Sequence, residues 1–122
     1  MTRQRLIVEM GMGVDLHGRD YTKAACRAVE DALRHSSMPI LRNIAFAPGD
    51  RQVRVTIGVA EPDAVDRDAV AARLPNEGVE IIVTLGGMDV ADASYGEGHV
   101  IASAAVELFL PPQPGWRLRS GA

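Results

Sequence analysis

The pattern of apolar and polar residues along the first third of the chain predicts a strand followed by a helix. Arg5–Met10 holds consecutive apolar residues, as in a strand that is covered on both faces. Tyr21–Ser36 carries an apolar stripe at helical spacing, and charged residues fall largely on the other side. Asp20 stands directly before this segment and is a good N-cap for the helix.

The middle of the chain predicts a pair of strands. In Gln52–Val59, branched apolar residues alternate with Gln, Arg, Thr and Gly, which indicates a strand with one buried and one wet face. A short strand is expected within Ile40–Ala47, and Pro48-Gly49-Asp50 between the two segments is typical of a turn. We therefore expect these two strands to form an antiparallel hairpin.

The last part of the chain predicts one more helix and two more strands. Asp66 can cap a short helix in Asp66–Leu74, which Pro75 ends because proline lacks the amide donor. The remaining segments are a strand at Val79–Leu85, a polar loop at Gly86–Gly98 and a strand at Val100–Leu110.

The element order β-α-β-β-α-β-β predicts an α+β fold. We expect a four- or five-stranded, largely antiparallel sheet with both helices on one face. The second sheet face is too aliphatic to remain in water, which predicts a homo-oligomer. A trimer is the first choice, and a dimer or a higher even number of subunits is the second. The chain is expected to be a single domain, 1–122, whose proline-rich tail, 111–122, includes Trp116.

Composition narrows the function classes. Hydrophobic residues make up 47% and charged residues 24% of the 122 residues, which is typical of a globular domain. The net charge of −3, with scattered basic residues, argues against a nucleic-acid partner. Cys26, the single cysteine, excludes an intramolecular disulfide and a cysteine-rich zinc site. No apolar run suits a membrane span or a signal peptide, so a cytoplasmic protein with no membrane partner is expected.

The segment Gly11–Gly18 carries the most chemistry. We expect the first strand to end here, because glycines allow positive φ, and the free amides at the following helix start to attract an anion. Asp15 and His17 are two residues apart and share a face if this piece is extended. The carboxylate can then orient the imidazole as a general base or share a metal ion with it. Lys23 or Arg19 would hold an anionic group of the substrate.

The same segment resembles a known family. Gly11-Met12-Gly13-Val14-Asp15-Leu16-His17-Gly18 matches the G-x-G-x-D-x-H-G signature of the conserved-hypothetical bacterial "Lin" family, which also has plant members with long N-terminal extensions. The resemblance implies that Gly11, Gly13, Asp15, His17 and Gly18 are motif residues. It implies a site and no particular activity.

A weaker likeness is architectural. The element order resembles the unit of YjgF-like and chorismate-mutase-like trimers, and of the cyclic-amide hydrolases that repeat this unit around a threefold axis. The catalytic serine and lysine motifs of those hydrolases have no counterpart that aligns here. This resemblance implies only how subunits would assemble.

Two functions and one structural interpretation remain open. The first is a small-molecule enzyme of hydrolase, isomerase or lyase type, with Asp15, His17 and Lys23 as catalytic residues and Gly11, Gly13, Gly18 and Arg19 as binding residues, in a cleft between subunits. The second is a non-catalytic oligomeric module that binds a metabolite or an anion. The third treats the motif as a folding device. The sequence names no cofactor, and a third catalytic partner would come from Glu9, from the loop 86–98 or from another subunit.

Overall fold

The computed structural model describes five strands, two α-helices and a short 3-10 helix at Pro62–Ala64. The described residues are 3–35, 47, 49–75, 78–92, 94 and 98–115. Their elements are β1 (Gln4–Asp15), α1 (Tyr21–Arg34), β2 (Gln52–Val59), α2 (Arg67–Ala71), β3 (Glu80–Leu85), β4 (Met88–Val90) and β5 (His99–Leu110).

The strands form one five-stranded sheet in which β5 is central. The strand order is β1-β5-β2-β3, and β4 also pairs with β5. β5 is antiparallel to β1, β2 and β4, whereas β2 and β3 are parallel. The predicted α+β class with a largely antiparallel sheet is confirmed.

Both helices lie on one face of the sheet, as predicted. Val29 of α1 and Val70 of α2 are fully buried in the same core as Val55 and Ile57 of β2. Small side chains dominate the buried face of α1: Tyr21, Ala24, Ala25, Cys26, Ala28, Val29 and Ala32. This face therefore lets the helix backbone come very close to the sheet.

The close approach of α1 explains two glycines and corrects a prediction. β1 does not end at Met10 but continues to Asp15, with Gly11 and Gly13 inside it and neither at positive φ. A Cβ on Gly13 would lie 2.2 Å from the Ala24 carbonyl oxygen, and one on Gly11 would lie 2.3 Å from that of Ala28. Helix packing, and not a turn, requires glycine at both positions.

Among the described residues, the other face of the sheet is uncovered and carries several exposed apolar side chains. In β1 the side chains of Met10 and Met12 are 68% and 59% exposed. Met10 pairs with Ala105 of β5, which in turn pairs with Thr56 of β2, so these residues share a face. The exposed apolar side chains of this open face are Val8, Met10, Met12, Ile82, Met88 and Val90.

Several element boundaries differ from the predictions. β4 interrupts the segment predicted as a continuous loop, Gly86–Gly98. α2 is shorter than Asp66–Leu74, although Asp66 does cap it. The predicted strand within Ile40–Ala47, and with it the hairpin, lies outside the described residues, as does Trp116. No helix in the described part of the chain is long and apolar enough to cross a membrane.

Candidate functional site

Asp15, at the end of β1, is the one buried charged side chain among the described residues, at 1% exposure. Its Oδ2 accepts a hydrogen bond from the Asp20 amide at 2.8 Å, and the carboxylate also accepts one from the His17 amide. Its Oδ1 lies 3.5 Å from Lys23 Nζ and 4.0 Å from Arg27 Nη1. Asp15 therefore holds both ends of the loop that leads into α1.

These partners keep Asp15 ionised. Burial raises the pKa of its carboxyl, but the Asp20 amide, the Lys23 ammonium and the His17 amide together outweigh burial, so the pKa lies below the ordinary value of 3.8. The predicted proximity of Asp15 and His17 thus takes the form of a bond to the main chain of His17. The carboxylate lies on the buried side of the sheet, whereas the His17 side chain is exposed.

Positive φ angles occur in the loop between β1 and α1, and not at Gly11 and Gly13, where the sequence pattern had predicted them. Gly18 has φ 90° and Arg19 has φ 50°, the latter unusual for a residue with a side chain. Asp20 then caps α1, its carboxylate accepting a hydrogen bond from the Lys23 amide at 3.0 Å. We refer to residues 16–20 as the motif loop.

One end of the motif loop is joined to β4. The Arg19 guanidinium lies 3.2 Å from Asp89 Oδ2 and 3.4 Å from the Tyr21 hydroxyl, which itself donates a hydrogen bond to Asp89. Tyr21 is 4% exposed. The bond to Asp89 and burial raise the pKa of the Tyr21 phenol, although Arg19 opposes them. Asp89 lies within the predicted loop 86–98, one of the expected sources of a third catalytic partner.

The other end of the motif loop is joined to the start of β5. His99 Nδ1 lies 3.0 Å from the Leu16 carbonyl oxygen, and His99 Nε2 lies 3.0 Å from Asp92 Oδ2. Asp92 and His99 thus form a carboxylate–imidazole pair beside the motif loop. Asp92 and His99 are seven residues apart with a loop between them, so no helical or strand periodicity in the sequence predicts that they pair.

The exposed side of α1 carries cations that border an open groove. Lys23 and Arg27 are half-exposed and one helical turn apart, and Arg27 also donates to the Val14 carbonyl at 2.6 Å. Between α1 and α2 these side chains and Arg73 border a groove of about 470 Å³. The groove is lined by Asp20, Thr22, Lys23, Cys26, Arg27, Glu30, Ala69 and Arg73. Lys23 and Arg19, the predicted anion-binding residues, therefore lie at the helix start.

Cys26 lies between the two helices and Glu9 lies within β1. Cys26 is buried between the helices, its Sγ 3.8 Å from the Ala69 carbonyl oxygen, and burial raises the pKa of its thiol. Glu9, considered as a third catalytic partner, lies in β1 opposite Val106. Within the described ranges, no three His, Cys, Asp or Glu side chains are grouped to hold a metal ion.

Comparison with known proteins defines the class of this α+β chain. Residues 5–108 match the model of the family described as "Conserved hypothetical protein (Lin0512_fam)". The crystal structure of an FtsZ-like protein of unknown function from Nostoc punctiforme is similar, with 34% sequence identity and a TM-score of 0.76. The alignment covers 92% of this chain and 99% of that chain. No curated protein matches. The chain belongs to the Lin0512 family, which confirms the resemblance seen in the motif.

Proposed function

We propose that the protein is an enzyme that acts on a small anionic molecule by acid–base chemistry, of hydrolase, isomerase or lyase type. The observation that carries the proposal is the convergence of ionisable side chains on the motif loop. Arg19 and Lys23 approach it from the loop and α1, Asp89 from β4, and His99 from β5. Loops held by a rigid scaffold are where binding and catalytic groups concentrate.

Each predicted site residue has a role in this proposal. Lys23 and Arg19, each with a half-exposed side chain, bind the anionic group at the start of α1, where helix amides favour negative charge. The exposed imidazole of His17 transfers the proton. Asp15 is a positioning residue, since its carboxylate is bound to the His17 and Asp20 amides.

The remaining motif residues shape the backbone of the proposed site. Gly18 supplies the turn at positive φ, which glycine adopts without strain. Gly11 and Gly13 bring α1 close enough for Lys23 to reach Asp15.

The open face of the sheet supports the proposal that the site is completed by another subunit. Its apolar side chains include Met10 and Met12, which are 68% and 59% exposed, and groups of exposed apolar side chains are typical of interaction surfaces. We propose a homo-oligomer, with a trimer as the first choice.

A non-catalytic metabolite- or anion-binding module is the second candidate. This candidate is favoured because Asp15 and both ring nitrogens of His99 already bind other groups of the protein. These bonds fit groups that serve the architecture of the loop.

Binding is tested by titrating isotope-labelled protein with inorganic phosphate and following the amide signals by NMR. The signals of Gly18 and Lys23 should move, and Lys23→Gln should weaken binding, whereas Arg67→Gln, which removes an exposed cation at the start of α2, should not. Phosphate shifts that are absent, or that are equally weakened by Arg67→Gln, would refute the anion site.

Catalysis is tested separately. A panel of phosphate monoesters and small carboxylates is incubated with the protein and followed by NMR. Conversion of a panel member by the wild type and its loss in His17→Ala, with phosphate binding retained, would support the enzyme. Binding of panel members without conversion would instead support the binding module.

A further inference from the structure

The His99 imidazole bridges two acceptors. The Leu16 carbonyl faces Nδ1 and the Asp92 carboxylate faces Nε2, both at 3.0 Å. A carbonyl oxygen and an ionised carboxylate only accept hydrogen bonds, whereas a neutral imidazole has one N–H and one lone pair. A neutral ring can therefore donate to one of these partners but not to both, and it keeps the bond to the charged Asp92 carboxylate, the stronger acceptor, and loses the bond to the Leu16 carbonyl. Both hydrogen bonds are made only when both ring nitrogens carry a proton.

The motif loop has a second attachment that does not depend on pH in the same way. The Arg19 guanidinium, bound to Asp89, stays charged throughout the range in which proteins are stable. Leu16 at the start of the loop and Arg19 near its end are thus tied to β5 and β4 by different chemistry. Losing the His99 bond frees the Leu16 end while the Arg19 end remains held.

We propose that His99 is a pH-dependent latch: its protonated ring holds the start of the motif loop to Asp92, and deprotonation releases the Leu16 end. The latch belongs to the protein without ligand. It therefore stands whether or not the loop binds an anion.

Among the residues that the structure describes, the surroundings of His99 leave the latch to this pair of partners. Val90 of β4, which pairs with His99, is apolar. Asp15 and Asp89 both pair with Val100, whose side chain is buried in the core, so these two carboxylates lie on the opposite face of the sheet from His99. His17, also titratable, follows Leu16 in the motif loop. An experiment on the latch must therefore distinguish a change at His99 from a change at His17.

The experiment follows the free protein by NMR over a pH series. It records the ring nitrogens of His99 and the hydrogen exchange of the His17 and Asp20 amides, the two loop amides bound to Asp15. After correction for the intrinsic pH dependence of exchange, protection of the His17 amide, next to Leu16, should fall about tenfold as the His99 ring loses its proton, the size of one hydrogen bond, while protection of the Asp20 amide at the held end should change less. Unchanged protection across the ring transition would overturn the latch.

Three variants assign the transition. His99→Gln should abolish it, while His17→Gln, the matched control, should retain it. In Asp92→Asn the side-chain amide can donate to an unprotonated Nε2, so the ring need not be charged and the transition should shrink. A transition that persists in His99→Gln or at full size in Asp92→Asn, or that vanishes in His17→Gln alone, would show that another group controls the loop.

Discussion

The carboxylate of Asp31 accepts a hydrogen bond from the main-chain amide of Met12, with 3.0 Å between nitrogen and oxygen. Met12 belongs to β1, an edge strand, and the edges of sheets present unpaired amides and carbonyls that can recruit another strand. Arg27 similarly donates to the Val14 carbonyl. Side chains of α1 thus occupy part of the free edge of β1.

Replacing Asp31 with alanine should expose this edge. We expect the Met12 amide to exchange faster with solvent and the protein to associate more readily, whereas Asp63→Ala, at an exposed site outside the sheet, should change neither. The Met12 amide lowers the pKa of the Asp31 carboxyl, so its contribution is lost as pH falls through that lowered pKa. Hydrogen exchange and light scattering measure both effects, and a Met12 amide unaffected by Asp31→Ala would contradict this interpretation.

Gly13→Ala should strongly destabilise the protein. The new Cβ would lie 2.2 Å from the Ala24 carbonyl oxygen, so α1 must move away from β1. We expect a loss of about 3 kcal/mol in the free energy of unfolding, measured by urea denaturation. Gly49→Ala is the control, since no atom lies within 4 Å of the corresponding Cβ. A Gly13→Ala protein as stable as the control would mean that the helix does not pack so closely.

Asp15→Asn should destabilise the motif loop and remove a pH dependence. One charge-assisted acceptor is lost and Lys23 loses its buried partner, so we expect a cost of about 2 kcal/mol near neutral pH. Because the folded pKa of Asp15 is lowered, its contribution is full above the unfolded pKa of about 3.9 and is lost as pH falls through the folded value. Denaturation at several pH values should show the gap between wild type and variant closing in acid, and a gap that widens would refute this.

Tyr21→Phe tests the contact with Asp89. Loss of the buried hydroxyl should cost about 1 kcal/mol of stability. With Tyr95→Phe as background, so that Tyr21 is the remaining tyrosine, the phenol should titrate above its ordinary pKa of 10.0, and Asp89→Asn should bring it back down. The stabilisation is present below the unfolded pKa and is lost as pH rises through the folded value. An absorbance titration in which the Tyr21 phenol has the same pKa with and without Asp89→Asn would contradict the contact.

Met10→Lys should disrupt the proposed oligomer. Met10 lies on the open face and is 68% exposed, so a charge there would be buried in the interface. Leu85→Lys is the matched control, because Leu85 is 76% exposed but pairs with Val59, whose side chain points to the helix side. Light scattering should give a smaller particle for Met10→Lys alone. A monomeric wild type at micromolar concentration would end the proposal.

Local patterns in the sequence predicted what depends on periodicity and capping. The alternation in Gln52–Val59 gave β2 with its bounds, and Asp20 and Asp66 cap the helices that they were expected to cap. These features involve neighbours in the chain, so the sequence contains both partners.

Features set by contacts between distant segments escaped prediction. Gly11 and Gly13 have low intrinsic strand propensity, but packing of α1 overrides it, and the sequence does not show which backbone lies against them. The same holds for His99, whose partner Leu16 is 83 residues away. The burial of Asp15 likewise follows from its register opposite Val100 of β5, a distant strand.

The central position of β5 determines when the protein can fold. Leu110 pairs with Gln4, and β5 separates β1 from β2, so β1 cannot join the sheet until β5 has left the ribosome, and until then β2 has only β3 as a neighbour. Before then α1 and β1 have no sheet to join, and their apolar faces are exposed on the nascent chain. Such non-local pairing slows folding, since loop closure precedes the contacts that repay it. Newly made chains are therefore expected to depend on chaperones until β5 is synthesised.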